Sequence, residues 1–390
     1  MDIFDAIKVF HTPRPIPQGP YTSPDEKRYY EAEWQLRQEA EGVCWRYQTY
    51  LPFTAREGHD VALAALDLFD RGVDRQFESI PHHILENLAR TVPGALQGLF
   101  PRLLERDLFW GDGVFYREAD PETRDLLLSL LESTHHELRY HDLLCALAWI
   151  GDEKVLELFT TLKHIPPAWT SVASLREYGR FAGWELTEDG KRRVLWLEPC
   201  SSLAFVEATP SPARDWPVAV MAPHEGSCPW CCRSFITLFD LHLLDSRLNF
   251  LPVQGERLRI PICVNCSFQA SVFFDIESDG ATSWNESNGD PPRRLKRYGD
   301  HLLPSFPQQQ FVFGERRRTS YIDSGSHLGG QPDWVQYPDY PHCPTCQQSM
   351  LFVGQLDPST DIGAPPVVSG VVYAFLCPLC KKVTAEYQQT

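Results

Sequence analysis

LRIPICVNCSFQASVFF at residues 258–274 and VVYAFLCPLCKKVTAEY at 371–387 decide the architecture of the second half of this chain. In each, a short apolar run meets a C-x-x-C pair and then resumes. Runs of that length rich in β-branched and aromatic residues read as strands. Each stretch is therefore a strand, a tight two-cysteine turn and another strand.

Both stretches have a partner upstream. Cys228-Pro-Trp-Cys231 is separated by 31 intervening residues from Cys263-Val-Asn-Cys266, and Cys343-Pro-Thr-Cys346 by 30 from Cys377-Pro-Leu-Cys380. A C-x-x-C turn puts two thiolates on one side of a tight loop, and two such knuckles complete a tetrahedron of sulfur around Zn²⁺ with bonds of about 2.3 Å. Four thiolates leave no position for water or substrate, so both sites are expected to be structural, in a zinc-ribbon pattern seen twice. The expected ligands are Cys228, Cys231, Cys263 and Cys266 for one ion, and Cys343, Cys346, Cys377 and Cys380 for the other. The same sulfur sets suit an iron–sulfur centre, and interleaved pairing of the knuckles is sterically conceivable. Thioredoxin-like chemistry needs a C-x-x-C opening a helix in a βαβ setting, which is not found here. Cys232 follows a ligand and should point away from its metal.

The chain has 390 residues, enough for two or three domains, and 43% of them are hydrophobic, which excludes wholesale disorder. Eight of its 12 cysteines fall in the four pairs; Cys44, Cys145, Cys200 and Cys232 are scattered. No apolar stretch approaches the roughly 20 residues that cross a bilayer, and the start carries no export signal, so a cytoplasmic protein is expected. The net charge is −16, and residues 1–200 hold 33 acids against 22 bases, net −11. That balance opposes general nucleic-acid affinity and suits a basic protein partner.

The expected fold class is α+β and multidomain. Residues 1–24 form a proline-rich arm, and 25–168 a helical domain. A β-hairpin segment connects at 169–215, the first zinc ribbon spans 216–275, and a β-rich domain with the second spans 276–390. In DVALAALDLFD (60–70), Val61, Leu63, Ala64 and Leu68 give an apolar face, with Asp60 as cap and Gly72 past the end. Leu126, Leu127, Leu130 and Leu131 make a second stripe. CALAWIGDEKVLELF (145–159) ends one helix at Gly151 and caps the next with Asp152, turning Val155, Leu156 and Phe159 inward. That helix pair resembles a HEAT-type repeat, with an irregular bundle as the alternative. GWELTEDGKRRVLWLEPC (183–200) reads as a hairpin around Glu188-Asp189-Gly190.

Sequence motifs for nucleotide binding, metalloprotease and hydrolase chemistry are missing. His82-His83 and His135-His136 with His141 read as helix-surface histidines, and Cys145 as a small core residue. The basic clusters PPRRLKRYGDH (291–301) and GERRR (314–318) read as solvated loops more readily than as a nucleic-acid site.

The segment SHLGGQPDWVQYPDYPHCPTCQQSMLFVGQLD (326–357) carries an H-x-G-G-x-P stretch from His327 to Pro332, Trp334, Gln336, the C-P-x-C knuckle, and a closing M-x-F-x-x-Q from Met350 to Gln355. In these features the C-terminal part resembles the YwqG-like bacterial proteins. Members of that family often stand beside polymorphic toxins and have no assigned enzymatic role. The resemblance implies a non-enzymatic cytosolic immunity protein that blocks a cognate toxin. Alternatives are a nucleic-acid-associated zinc-ribbon factor, or a hydrolase that reverses a toxin's modification. Physically, Gly329, Gly330 and Pro332 are expected to form a tight turn, with Trp334, Met350 and Phe352 packed beneath the ribbon.

Overall fold

The computed structural model describes residues 53–70, 79–109, 111–134, 136–164, 175–206, 218–295, 309–317, 325–357 and 370–389. The proline-rich arm, the expected junction at 168, Gly72, His135 and the bases Lys296, Arg297 and Arg318 lie outside them. The chain divides into two compact units, Met1–Ala182 and Gly183–Thr390.

The first unit is helical: α1 Ala55–Asp70, α2 Ser79–Thr91, α3 Phe100–Glu105, α4 Pro121–Ser133, α5 Glu137–Ile150, α6 Glu153–His164 and α7 Leu175–Phe181. Its start corrects the expectation from the sequence. Thr54, not Asp60, caps α1, in a reciprocal box. The Thr54 backbone N–H donates to Glu57 Oε2 at 2.8 Å, and the Glu57 N–H donates to Thr54 Oγ1 at 3.3 Å. With that start, Gly58, Ala62, Ala65 and Leu66 are the buried face, and Val61, Leu63 and Ala64 are half-buried. On α4 the stripe is also narrower than expected: Leu127 and Leu131 are buried, whereas Leu126 is 48% exposed. Asp120 caps that helix by accepting from Thr123 N–H at 2.7 Å.

The turn between α5 and α6 forms as read. Gly151 is left-handed at φ 55°, and Asp152 Oδ1 accepts the Val155 N–H at 3.1 Å. Val155 and Phe159 are buried and Leu156 is half-buried. Gly113 lets the 3₁₀ turn Gly111–Tyr116 press onto α5, since a Cβ there would lie 2.4 Å from Ala146 N.

The second unit opens with a small hairpin, β1 Trp184–Leu186 and β2 Arg192–Val194, around the expected turn. The remaining strands join in one antiparallel sheet: β3 Leu197–Val206, β4 Val218–Ser227, β5 Ser234–His242, β6 Arg257–Ile262, β7 Phe273–Ile276, β8 Thr282–Trp284, β9 Gln309–Arg317, β10 His327–Gly330, β11 Leu351–Leu356, β12 Gly370–Cys377 and β13 Lys382–Gln389. Their order is β6-β5-β4-β9-β3-β10-β11-β12-β13-β7-β8. β6 also packs against β13, β7 and β8, so the order bends round until its ends meet. The three segments expected after residue 168 thus share one sheet. β3 pairs with β9 and β10, and β13 with β7.

Both faces of that sheet are buried where the cysteines lie. On β12, Val372, Ala374 and Leu376 enter one core with Phe235, Phe239 and Ile260. Val371, Tyr373 and Phe375 enter another with Met350, Phe352 and Trp196, against which Trp334 packs. The strand's unbroken apolar run follows from this. Gly329 and Gly330 form a bulge within β10, not a tight turn. Gly329 has φ 67°, and a Cβ there would lie 2.1 Å from the Pro199 carbonyl oxygen, so the close approach to β3 is what excludes a side chain.

Candidate metal centres

Hairpin geometry assembles the first cysteine group. Cys228 and Cys231 occupy the turn between β4 and β5, where Ser227 pairs with Ser234. Cys263 follows β6 directly, and Ile262 pairs with Ile236, two residues past Ser234 at that turn. The four sulfurs lie within 4.8 Å of one another, and all four residues are buried. Sγ of Cys228 is 3.7 Å from Sγ of Cys266, and Sγ of Cys231 is 3.4 Å from Sγ of Cys263. A tetrahedron with bonds of about 2.3 Å has edges of about 3.8 Å, so one ion fits between them.

The second group forms the same way. Cys343 and Cys346 sit between β10 and β11, closed by a bridge between His342 and Ser349, while Cys377 and Cys380 make the β12–β13 turn. Their sulfurs also lie within 4.8 Å, with Cys343 and Cys377 buried and Cys346 and Cys380 half-buried. Cys346 Sγ and Cys377 Sγ are 3.7 Å apart. Among the described residues, these are the groups of metal-ligating side chains that could hold an ion.

Knuckle backbones repeat. The Cys228 N–H donates to Arg233 O at 2.8 Å and the Cys232 N–H to Cys228 O at 2.7 Å; the Cys343 N–H donates to Gln348 O and the Gln347 N–H to Cys343 O, both at 2.9 Å. The residue after the second cysteine is left-handed in three knuckles: Cys232 at φ 62°, Gln347 at 59° and Lys381 at 52°. The knuckle at Cys263 shares that bond, with the Ser267 N–H on Cys263 O at 2.9 Å, but winds on into a further turn in which the Gln269 and Ala270 N–H groups donate to Cys266 O at 2.9 and 3.0 Å. Cys232 is exposed, outside the buried group of four sulfurs.

Crowded thiols cannot all ionise unaided. Hydrogen bonds from Cys263 and Cys266 pull the Cys228 thiol down, and the same thiolate pushes Cys263 and Cys266 up. In the second group burial works against a Cys346 thiolate, but the Gln348 backbone and neighbouring thiols hold it low. Burial pushes Cys377 and Cys380 up. A cation at the centre reverses this, because a coordinating thiol is deprotonated outright.

Several histidines of the chain are held by other partners. His224 Nδ1 lies 3.0 Å from Thr237 Oγ1. His82 packs edge-on against Phe69, and His83 lies 3.8 Å from Glu86. A contact the sequence did not flag is on α5, where Cys145 Sγ is 3.8 Å from His141 Nε2 and His141 Nδ1 is 3.4 Å from Tyr178 Oη. The i, i+4 spacing was its signal. Cys145 is 0% exposed, which fits a packed thiol better than a nucleophile.

No helix among the described residues is long and apolar enough to cross a membrane. No family model matches the chain, and no solved structure matches it. It is similar to a protein of Salmonella typhimurium named "Uncharacterized protein YpfL", with 32% identity over 352 residues, covering 88% of this chain and 80% of that protein. At that identity and coverage, the chain belongs to the same family as YpfL.

Proposed function

We propose that this chain is a non-enzymatic binding protein, a cytosolic immunity protein that occludes a cognate toxin, and that its two cysteine groups hold structural zinc. The carrying observation is that both groups are closed. Four thiols within 4.8 Å use every tetrahedral position and leave none for a reacting molecule. Sulfur separations of 3.4 and 3.7 Å suit a single ion; a cluster of several irons would hold its cysteines farther apart.

The excess of 33 acids over 22 bases in residues 1–200 supports a basic partner surface. The YwqG-like segment at 326–357 supports the toxin as that partner. Occlusion of an active site needs roughly 1,200 Å² or more of buried interface, well within reach of a chain this size. Titration of the purified protein against its toxin is expected to protect up to one molar equivalent and no further. Protection by trace amounts over many turnovers would show an enzyme that reverses the damage. Elemental analysis is expected to give two zinc ions per chain; less than one would remove zinc from the proposal.

A further inference from the structure

The two cysteine groups share no ligand, yet one seam joins them. Two residues after Cys266, the Phe268 ring lies on Tyr387 of β13, with centroids 4.0 Å apart. Thr384 Oγ1 of β13 donates to the Val272 carbonyl at 2.9 Å. β7 then pairs with β13 in register, Phe273 with Thr384, Phe274 with Val383 and Asp275 with Lys382. The Lys382 ammonium pairs with the Asp275 carboxylate, whose other oxygen accepts from Asn285 Nδ2 at 2.6 Å. The Ile276 N–H donates to Lys381 O at 2.9 Å. Lys381 is the residue after ligand Cys380, so the seam begins at one group and ends at the other.

A second link runs through aromatic rings. Trp230, between Cys228 and Cys231, meets Trp284 of β8 edge-on at 5.4 Å, and Trp284 meets Phe274 of β7 at 6.1 Å. Trp230 Nε1 donates to Gly289 O at 2.9 Å. The β7–β8 hairpin is therefore clamped by the first group on one side and by the strand leaving the second on the other.

We propose that the two centres bind metal as a coupled pair, each ion stabilising the seam residues that the other centre needs in place. The inference rests on the zinc assignment above. The physical basis is shared ordering. An ion at Cys263 and Cys266 fixes residues 267–276, and an ion at Cys377 and Cys380 fixes the start of β13. The seam forms only when both sides are fixed, so whichever ion binds first lowers the entropic cost for the second. Coupling of this kind acts equally in both directions.

The test is zinc release from the full chain to an excess of a chelating dye. Wild type is expected to hold two zinc ions and release both in a single phase. Cys343→Ser spares every ligand of the first centre, and its remaining zinc should leave at least tenfold faster than zinc leaves wild type. The double variant Asp275→Asn, Thr384→Val keeps all eight ligands; it should bind two ions and release them in two separate phases. Release from Cys343→Ser at the wild-type rate, or a single wild-type-like phase from the double variant, overturns the coupling alone. A wild type that holds less than one zinc ion overturns the zinc assignment and the coupling with it, whereas one that holds a single ion overturns the coupling alone; both are seen before any variant is made.

Discussion

The turns Cys228-Pro-Trp-Cys231 and Cys343-Pro-Thr-Cys346 have the same hydrogen-bond pattern and the same left-handed residue after them, yet they stand in opposite surroundings. Trp230 is buried against Trp284, whereas Thr345, at the matching position, is exposed. Their partner turns differ likewise: Asn265 is buried, while Leu379 is 73% exposed. The backbone of a knuckle is thus set by the demands of sulfur geometry, and the residues between the cysteines are free to face a core or solvent. The first centre is a core element. The second is a staple at the edge of its hairpins.

Five experiments test that contrast. The largest effect should come from Cys263→Ser, which removes a ligand from the buried centre and costs on the order of 10 kcal/mol of metal-linked folding energy. The sheet unit should lose its near-ultraviolet circular dichroism while the helical far-ultraviolet signal persists; a change in the helical signal alone would be the wrong result. Trp230→Ala should cost about 3 kcal/mol in denaturant melts, as a large buried aromatic does.

A pH effect comes third. Glu386 lies on β13, and its Oε1 is enclosed without a hydrogen-bond partner among the described residues. Burial raises its pKa from 4.5 to about 7, with Ser271 lowering it and Asp339 raising it. The neutral form is the one the fold favours. Stability from this group is complete below pH 4.5, declines as pH rises to about 7, and is gone above, a change on the order of 3 kcal/mol. Glu386→Gln should flatten the stability–pH curve across that window; an unchanged slope would rule this out.

Asp152→Ala should cost about 1 kcal/mol from the lost helix cap, read as a small drop in melting temperature of the helical unit. It also removes one of the two carboxylates paired with Arg124, the other being Asp125, and will expose whether that ion pair adds to the cap. Thr345→Ala should change stability by less than about 0.5 kcal/mol. A cost near that of Trp230→Ala would erase the distinction between the two turns.

Local chemistry was legible in the sequence. All eight cysteines, the Gly151-Asp152 turn and the hairpin at 188–190 each depend on residues a few positions apart. Even the cap of α1 had a signal, Thr54 with Glu57 three residues on, although the apolar periodicity from Asp60 hid it. What the pattern could not give was strand order. Nothing in LEPCSSLAFV (197–206) marks β9 or β10 as its neighbours, because an antiparallel pairing carries no label beyond alternation. The bulge at Gly329 was missed for the same reason, since what the glycine avoids is the carbonyl of Pro199. The seam was hidden too: Thr384 and Val272 are polar and apolar residues of no special spacing.

The placement of β3 between β9 and β10 has a consequence for synthesis. Val206 and Gln309 are 103 positions apart, so a ribosome adding about 5–20 residues per second finishes β3 about 5–20 s before its first partner exists. The buried centre has all its ligands once Cys266 emerges, still ahead of β9, while the staple must await Cys380, 114 residues later. A nascent chain can thus close its core centre around metal and anchor β4, β5 and β6 while β3 is still unpaired. On the proposed assignment, the supply of that metal during translation would set how long the strand stays open to wrong partners.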